Sequence, residues 1–176
     1  GFAEFGGGII NRVSVGRLTL DQVHIVDNEA SVAGGGIFNA GELFVIDSTF
    51  SDNSAARGGG MFVAFTLSAV TEIYGSTFSG NEAIAGAGME IHKSFSITNS
   101  TISGNTSTLD QDDVYSTAAG IVLMRVDASG PAIGYLTNVT ITDNAVDSAN
   151  GFSHTGGVLA LDNLGDNGAI FDFRNT

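Results

Sequence analysis

Residues 34–61 read GGGIFNAGELFVIDSTFSDNSAARGGGM, a stretch that opens and closes on the same glycine triplet followed by an apolar residue. Between the triplets lie two short apolar runs, Leu43-Phe44-Val45-Ile46 and then Phe50, bounded by Gly, Asp, Ser and Asn. Short runs closed by turn-forming residues are the pattern of short strands. The unit recurs. Glycine corners stand as GGGI at 6–9 and 34–37, GGGM at 58–61, GAGM at 86–89, AAGI at 118–121 and TGGV at 155–158. A second motif follows each of the first five: HIVDN at 24–28, TFSDN at 49–53, TFSGN at 77–81, TISGN at 101–105 and TITDN at 140–144. The last glycine of each corner falls at 8, 36, 60, 88, 120 and 157, giving steps of 28, 24, 28, 32 and 37 residues.

Helical repeats carry apolar faces of period 3.6, and no such face is found. The spacing predicts an all-β chain, a parallel β-solenoid of about six rungs that runs through residues 1–176 as one domain. Each rung carries three short strands: one after the glycines, one in mid-rung and one ending at the asparagine. Strands of successive rungs then pair in parallel about 4.8 Å apart, and no rung can bury its apolar face without a neighbour. In the third strand Ile25, Phe50, Phe78, Ile102 and Ile141 are expected to point inward as one column. Their neighbours Thr49/Ser51, Thr77/Ser79, Thr101/Ser103 and Thr140/Thr142 are expected to point outward. Asn28, Asn53, Asn81, Asn105 and Asn144 are expected to form a structural ladder at the corner, where asparagine tolerates a left-handed backbone and satisfies backbone groups.

Composition agrees with a packed core rather than a disordered chain: 43% of residues are hydrophobic and 14% charged. Twenty-five glycines against a single proline, Pro131, point to many tight corners. With no cysteine there is neither a disulfide framework nor a Cys-based metal site. Nineteen acidic against six basic residues give a net charge of −13, which repels phosphate backbones and anionic lipid and attracts cations. No apolar window is long enough for a membrane helix, so nucleic acid and direct membrane insertion are both excluded as expectations. The chain opens GFAEFGGG and ends FDFRNT, without a signal peptide or an evident cap, and is expected to be a piece of a longer protein.

The alternation of GGGI or GGGM with FxxN (Phe50 to Asn53, Phe78 to Asn81) resembles the repeats of polymorphic outer-membrane proteins. It is also similar to those of large bacterial surface proteins built as right-handed parallel β-helices. The resemblance covers nearly the whole chain. It departs at 106–119 and 145–155, where insertions replace a short corner, and where Ile stands for Phe in three FxxN positions. It implies a right-handed coil, an adhesin-like rod and an extracellular or bacterial outer-surface location. The same superfold hosts pectin-cleaving enzymes, so the fold does not decide activity.

Several residue patterns carry chemistry. Asp110, Asp112 and Asp113 put three carboxylates in four residues, a donor set suited to Ca²⁺ although not spaced as an EF-hand. No other cofactor is expected. Polygalacturonase-like hydrolysis needs an acid and a base carboxylate across the scissile bond. Asp112 and Asp113 are the only adjacent acidic pair, and the RxK pattern of that family is absent. Lys93 is the only lysine, and the arginines (Arg12, Arg17, Arg57, Arg125, Arg174) form no cluster to supply a lyase base. An enzyme is therefore disfavoured. His24, His92 and His154 lie on different rungs, show no ligand spacing and are expected at the surface.

The hydroxyl pairs of the third strand resemble the flat Thr-x-Thr faces of some ice-binding solenoids, although threonine is common on any exposed strand. One residue past each inward Ile, Met or Val stand Ile10, Phe38, Phe62, Val122 and Leu159, with Glu90 the exception. An apolar stripe on an outer face marks a covering partner. The leading expectation is a non-catalytic rod that binds another protein chain or itself. A carbohydrate-binding or carbohydrate-cleaving β-helix comes second, with polysaccharide as its ligand, and an ice-binding face third.

Overall fold

The computed structural model describes residues 1–12, 16–65, 70–109, 118–125, 131–148, 155–162 and 168–174. Among these, twenty-three strands form four sheets in which every pairing is parallel. Neighbours within a sheet come from successive rungs, so the chain is a parallel β-helix.

The three expected strands of each rung make three of the sheets. The second sheet holds the strands after the glycines: Ile9–Asn11, Ile37–Asn39, Met61–Val63, Met89–Ile91, Ile121–Arg125 and Val158–Asp162. The third holds Arg17–Asp21, Glu42–Ile46, Thr71–Tyr74, Phe95–Thr98, Ala132–Thr137 and Ala169–Arg174. The fourth holds His24–Val26, Thr49–Ser51, Thr77–Ser79, Thr101–Ser103 and Thr140–Thr142. A further short segment joins them between asparagine and glycines, and these strands form the first sheet: Phe2–Phe5, Glu29–Ala33, Ser54–Arg57, Glu82–Ala85, Thr106–Leu109 and Ala145–Ser148. The first residues of the stretches expected as insertions at 106–119 and 145–155 are strand, Thr106–Leu109 pairing with Ala145–Ser148. Residues 110–117 and 149–154 lie outside the described residues.

Alternation sorts side chains as the pleat requires. Leu43, Val45, Ile73, Ile97, Ile37, Met61, Met89 and Ile121 fill the interior, which forms one buried cluster from Leu20 to Leu136. Down the fourth sheet Ile25, Phe50, Phe78 and Ile102 are buried and Ile141 packs partly against them. The Phe50 and Phe78 rings stack with centroids 4.5 Å apart and planes 6° from parallel. Gly134 leaves room for the rings of Phe95 and Phe171, which a methyl at that position would crowd at 2.7 and 2.8 Å.

Corners show why the motifs recur. In the glycine corner Gly34 has φ of +70°, and a methyl on Gly35 would overlap the carbonyl oxygens of Ser54 and Gly59. The triplet is thus one left-handed residue followed by close backbone stacking. At the corner after the fourth sheet the left-handed residue is the one before the asparagine: Asp27, Asp52, Gly80, Gly104 and Asp143 all have positive φ. That corrects the expectation of a left-handed asparagine. The corner before the fourth sheet likewise uses Gln22, Asp47, Gly75, Asn99 and Asn138. Gly75 has φ of +60°, and the Asp47 carboxylate folds over it where a Cβ would stand. Gly75→Ala is expected to cost about 1–2 kcal/mol through the left-handed backbone. Gly75→Asn should cost less, since Asn99 and Asn138 hold the equivalent position. Urea unfolding midpoints measure both.

The asparagines are hydrogen-bonded from rung to rung. The backbone N–H and Nδ2 of Asn28 both donate to Asn53 Oδ1, at 3.1 and 3.0 Å. Asn53 donates in the same way to Asn81, Asn81 to Asn105, and Asn105 to Asn144. The second Nδ2 hydrogen of Asn53, Asn81, Asn105 and Asn144 reaches the carbonyl of Ile25, Phe50, Phe78 and Ile102, respectively. Asn53, Asn81 and Asn105 are fully buried, and in each both amide hydrogens and both acceptor sites are satisfied. A parallel serine ladder lies at the preceding corner. Ser48 Oγ accepts from Val23 N–H, Ser76 Oγ from Ser48 N–H and Ser100 Oγ from Ser76 N–H, each at 3.1 Å. Each of these hydroxyls donates in turn to a carbonyl two residues back, at Ile46, Tyr74 and Thr98.

Candidate functional site

The interior is occupied by ladders and apolar columns, so chemistry is available on the outer faces. Three faces differ in what they offer.

On the second sheet Ile10, Phe38, Phe62, Glu90, Val122 and Leu159 stand in one register column. Their accessibility is uneven. Ile10 is exposed, Phe38 and Leu159 are half-buried, and Phe62 and Val122 are buried. Phe5 meets Phe38 edge-on at 5.2 Å, and Phe38 stacks on Phe62 at 5.5 Å. Glu90 interrupts the column as a fully buried carboxylate. Arg57, at the end of a first-sheet strand, reaches it with Nε 3.0 Å from Oε2 and with Nη2 bonded to Oε1. His92 Nε2 lies 2.7 Å from the same Oε1. The guanidinium also lies 5.4 Å from the Phe62 centroid, and the imidazole packs edge-on to that ring at 4.9 Å. His92 is only 11% exposed in its side chain, which corrects the expectation of a surface histidine. Arg57→Ala should destabilise by about 2 kcal/mol because it leaves Glu90 buried beside His92 alone. That is below the range for a fully buried pair because the guanidinium is 41% exposed. Thermal or urea unfolding reads the difference.

The third sheet presents a shallow groove of about 240 Å³ in the middle of the stack, lined by Phe44, Val45, Ile46, Glu72, Ile73, Tyr74, Ser96 and Thr98. Its walls come from two outward columns. One runs Thr19, Phe44, Glu72, Ser96, Tyr135, Asp172, and the other Asp21, Ile46, Tyr74, Thr98, Thr137, Arg174. Tyr74 is 50% exposed. Both ends of the face carry a closed charge pair. Arg17 Nε donates to Glu42 at 2.8 Å and the guanidinium lies 5.2 Å from the Phe44 centroid. Arg174 donates to Asp172 and lies 5.3 Å from the Tyr135 centroid. The hydrogen bond from Arg174 holds the Asp172 carboxyl below the usual carboxylate range.

The fourth sheet presents hydroxyls. Thr49, Thr77, Thr101 and Thr140 align in one column, and Ser51, Ser79, Ser103 and Thr142 in the other. None of these hydroxyls has a hydrogen-bond partner among the described residues, unlike the serine ladder one residue away. His24 and Val26 occupy the two columns in the first rung.

Asp110, Asp112, Asp113 and His154 lie outside the described residues. Among the described residues no three His, Cys, Asp or Glu side chains gather as a cation site. The chain matches no protein-family description, no curated protein and no solved structure.

Proposed function

We propose that this chain is a non-catalytic structural and interaction rod, displayed outside the cell or on a bacterial surface, which binds another protein chain along its third sheet. The observation that carries the reading is the mid-stack groove. It has an apolar floor, a half-exposed Tyr74, and a rim of Glu72, Ser96 and Thr98 whose side-chain polar groups have no partner among the described residues. A concave apolar surface with a few convergent polar groups is the default binding surface. The surface location rests on the resemblance of GGGI and FxxN to adhesin-like repeats. The second-sheet column contributes through its accessible Ile10 and Phe38.

The half-exposed Tyr74 ring beside Glu72 and the hydroxyls of Ser96 and Thr98 also favour a second reading, a carbohydrate-binding groove, because an open ring face and hydroxyls suit sugars. The unbonded hydroxyl columns of the fourth sheet favour a third, contact with ice. One experiment separates the first two. A photo-crosslinking residue is placed at Thr98, with Ser103 on the fourth sheet as control, in the protein displayed by its producing cell. A discrete adduct at Thr98 alone, degraded by protease, is the expected result. An adduct degraded only by glycosidase favours sugar. Equal labelling at both positions, or none, sinks the rod reading. Ice contact has its own test: freezing hysteresis that Thr77→Tyr abolishes.

A further inference from the structure

The outer faces repeat one small device. Arg17, Arg57 and Arg174 each bind a carboxylate and each lie over an aromatic ring. The three sets are Arg17 with Glu42 and Phe44, Arg57 with Glu90 and Phe62, and Arg174 with Asp172 and Tyr135. The carboxylate and ring stand in one of two relations. Glu42 and Phe44 are two residues apart on one strand, whereas Phe62 and Glu90, like Tyr135 and Asp172, are register partners on adjacent strands. Both relations bring a negative group and a ring's electron-rich face together, and a guanidinium satisfies both at once.

Glu72 has both relations and no cation. Tyr74 stands two residues along its strand on the same face, and Phe44 is its register partner. The other register neighbours of Glu72 and Tyr74 are Ser96, Ile46 and Thr98, none of them basic. Glu72 is exposed and makes no hydrogen bond or ion pair among the described residues. The apolar floor of the groove lies beneath it, with Tyr74 half-exposed at its edge.

The geometry points to Glu72 and Tyr74 as an acceptor for an arginine side chain of a partner protein, which would complete the set the molecule closes elsewhere with its own arginines. This rests on the protein-binding reading of the groove and names the chemistry of its occupant. The guanidinium hydrogen-bonds the Glu72 carboxylate and lies on the Tyr74 ring, while apolar neighbours of that arginine cover Ile46; the Phe44 ring already carries Arg17. A net charge of −13 favours such a segment on approach.

The test uses NMR titration of the chain with a capped Ile-Arg-Ile tripeptide and with its citrulline counterpart, which keeps the shape and removes the charge. The arginine peptide is expected to shift the signals of Glu72 and Tyr74. The citrulline peptide, which lacks both contacts, is expected to bind about three- to tenfold more weakly, the scale of one exposed ion pair plus one cation–ring contact, and Glu72→Gln and Tyr74→Ala, which each remove one of them, about two- to fivefold. Tyr74→Phe should retain the affinity, because the ring is kept. Glu82→Gln, on the first sheet, should leave it unchanged. The proposal is overturned if citrulline binds as well as arginine, if the shifts map elsewhere, or if Glu82→Gln weakens binding as much as Glu72→Gln, which would leave only diffuse attraction. A protein adduct at Thr98 that persists undiminished in Glu72→Gln would remove this inference and leave the rod reading standing.

Discussion

Asn81→Asp is expected to destabilise the middle rungs by about 3–5 kcal/mol at neutral pH, the scale of an uncompensated buried charge. Asn81 is fully buried and accepts from the Asn53 backbone and Nδ2 through its Oδ1. Aspartate keeps those acceptors. It loses both donations from Nδ2, to Asn105 Oδ1 and to the Phe50 carbonyl, and sets its second carboxylate oxygen against each of those acceptors. Burial disfavours the charged form, so the folded-state pKa of the new carboxyl lies above its unfolded value of about 3.9. A group shifted upward contributes stability below its unfolded pKa and loses it as pH rises through the folded pKa. The deficit should therefore be smallest in acid and grow toward neutrality. Asn81→Leu removes the same donors together with the acceptor, and its deficit should not follow pH in this way. Amide exchange at residues 53, 81 and 105, followed across pH, distinguishes the two. A flat Asn81→Asp profile would show that the side chain had left the ladder.

Phe78→Ala is the second large effect, at about 3–5 kcal/mol for an aromatic side chain removed from a core. Phe78 is fully buried with its ring stacked on Phe50. Its other neighbour in the column is Ile102, and the backbone around the site is held by both ladders, so the space cannot close by collapse. Phe78→Ile should recover most of the loss, since Ile25, Ile102 and Ile141 occupy the same column. Equilibrium unfolding of the three proteins measures the order.

The parts of this architecture legible in the sequence are those where one rung repeats the chemistry of the next. Phe50 and Phe78 could be placed inside because Thr and Ser flank them in strict alternation. The asparagine ladder is visible as a residue type returning at a fixed place. Its backbone conformation is not, because Asp and Gly before it share the left-handed region with Asn and only coordinates separate them. The serine ladder leaves a trace in STF at 48–50, STF at 76–78 and STI at 100–102, which is read more readily as strand onset. The first sheet leaves almost none: SAAR at 54–57 has no apolar alternation, and its four residues are all half-buried. Side-chain clusters between sheets are the hardest to read. Arg57 finds Glu90 and His92 at separations of 33 and 35 residues, distances set by how far the coil has wound rather than by any motif.

Because each ladder residue is bonded to its counterpart in the next rung, and the corners stack glycine on glycine, a rung is an interchangeable unit. Removing residues 58–85 would bring Gly86 after Arg57, in the place of Gly58, and would set Asn53 against Asn105. Loss or gain of one such unit changes the rod by a single strand spacing, about 4.8 Å, without introducing a new kind of contact. Copy number, rather than the design of any one rung, is then the variable through which a lineage can lengthen or shorten this molecule, and faces such as the groove at Glu72 arise where individual rungs have departed from the shared pattern.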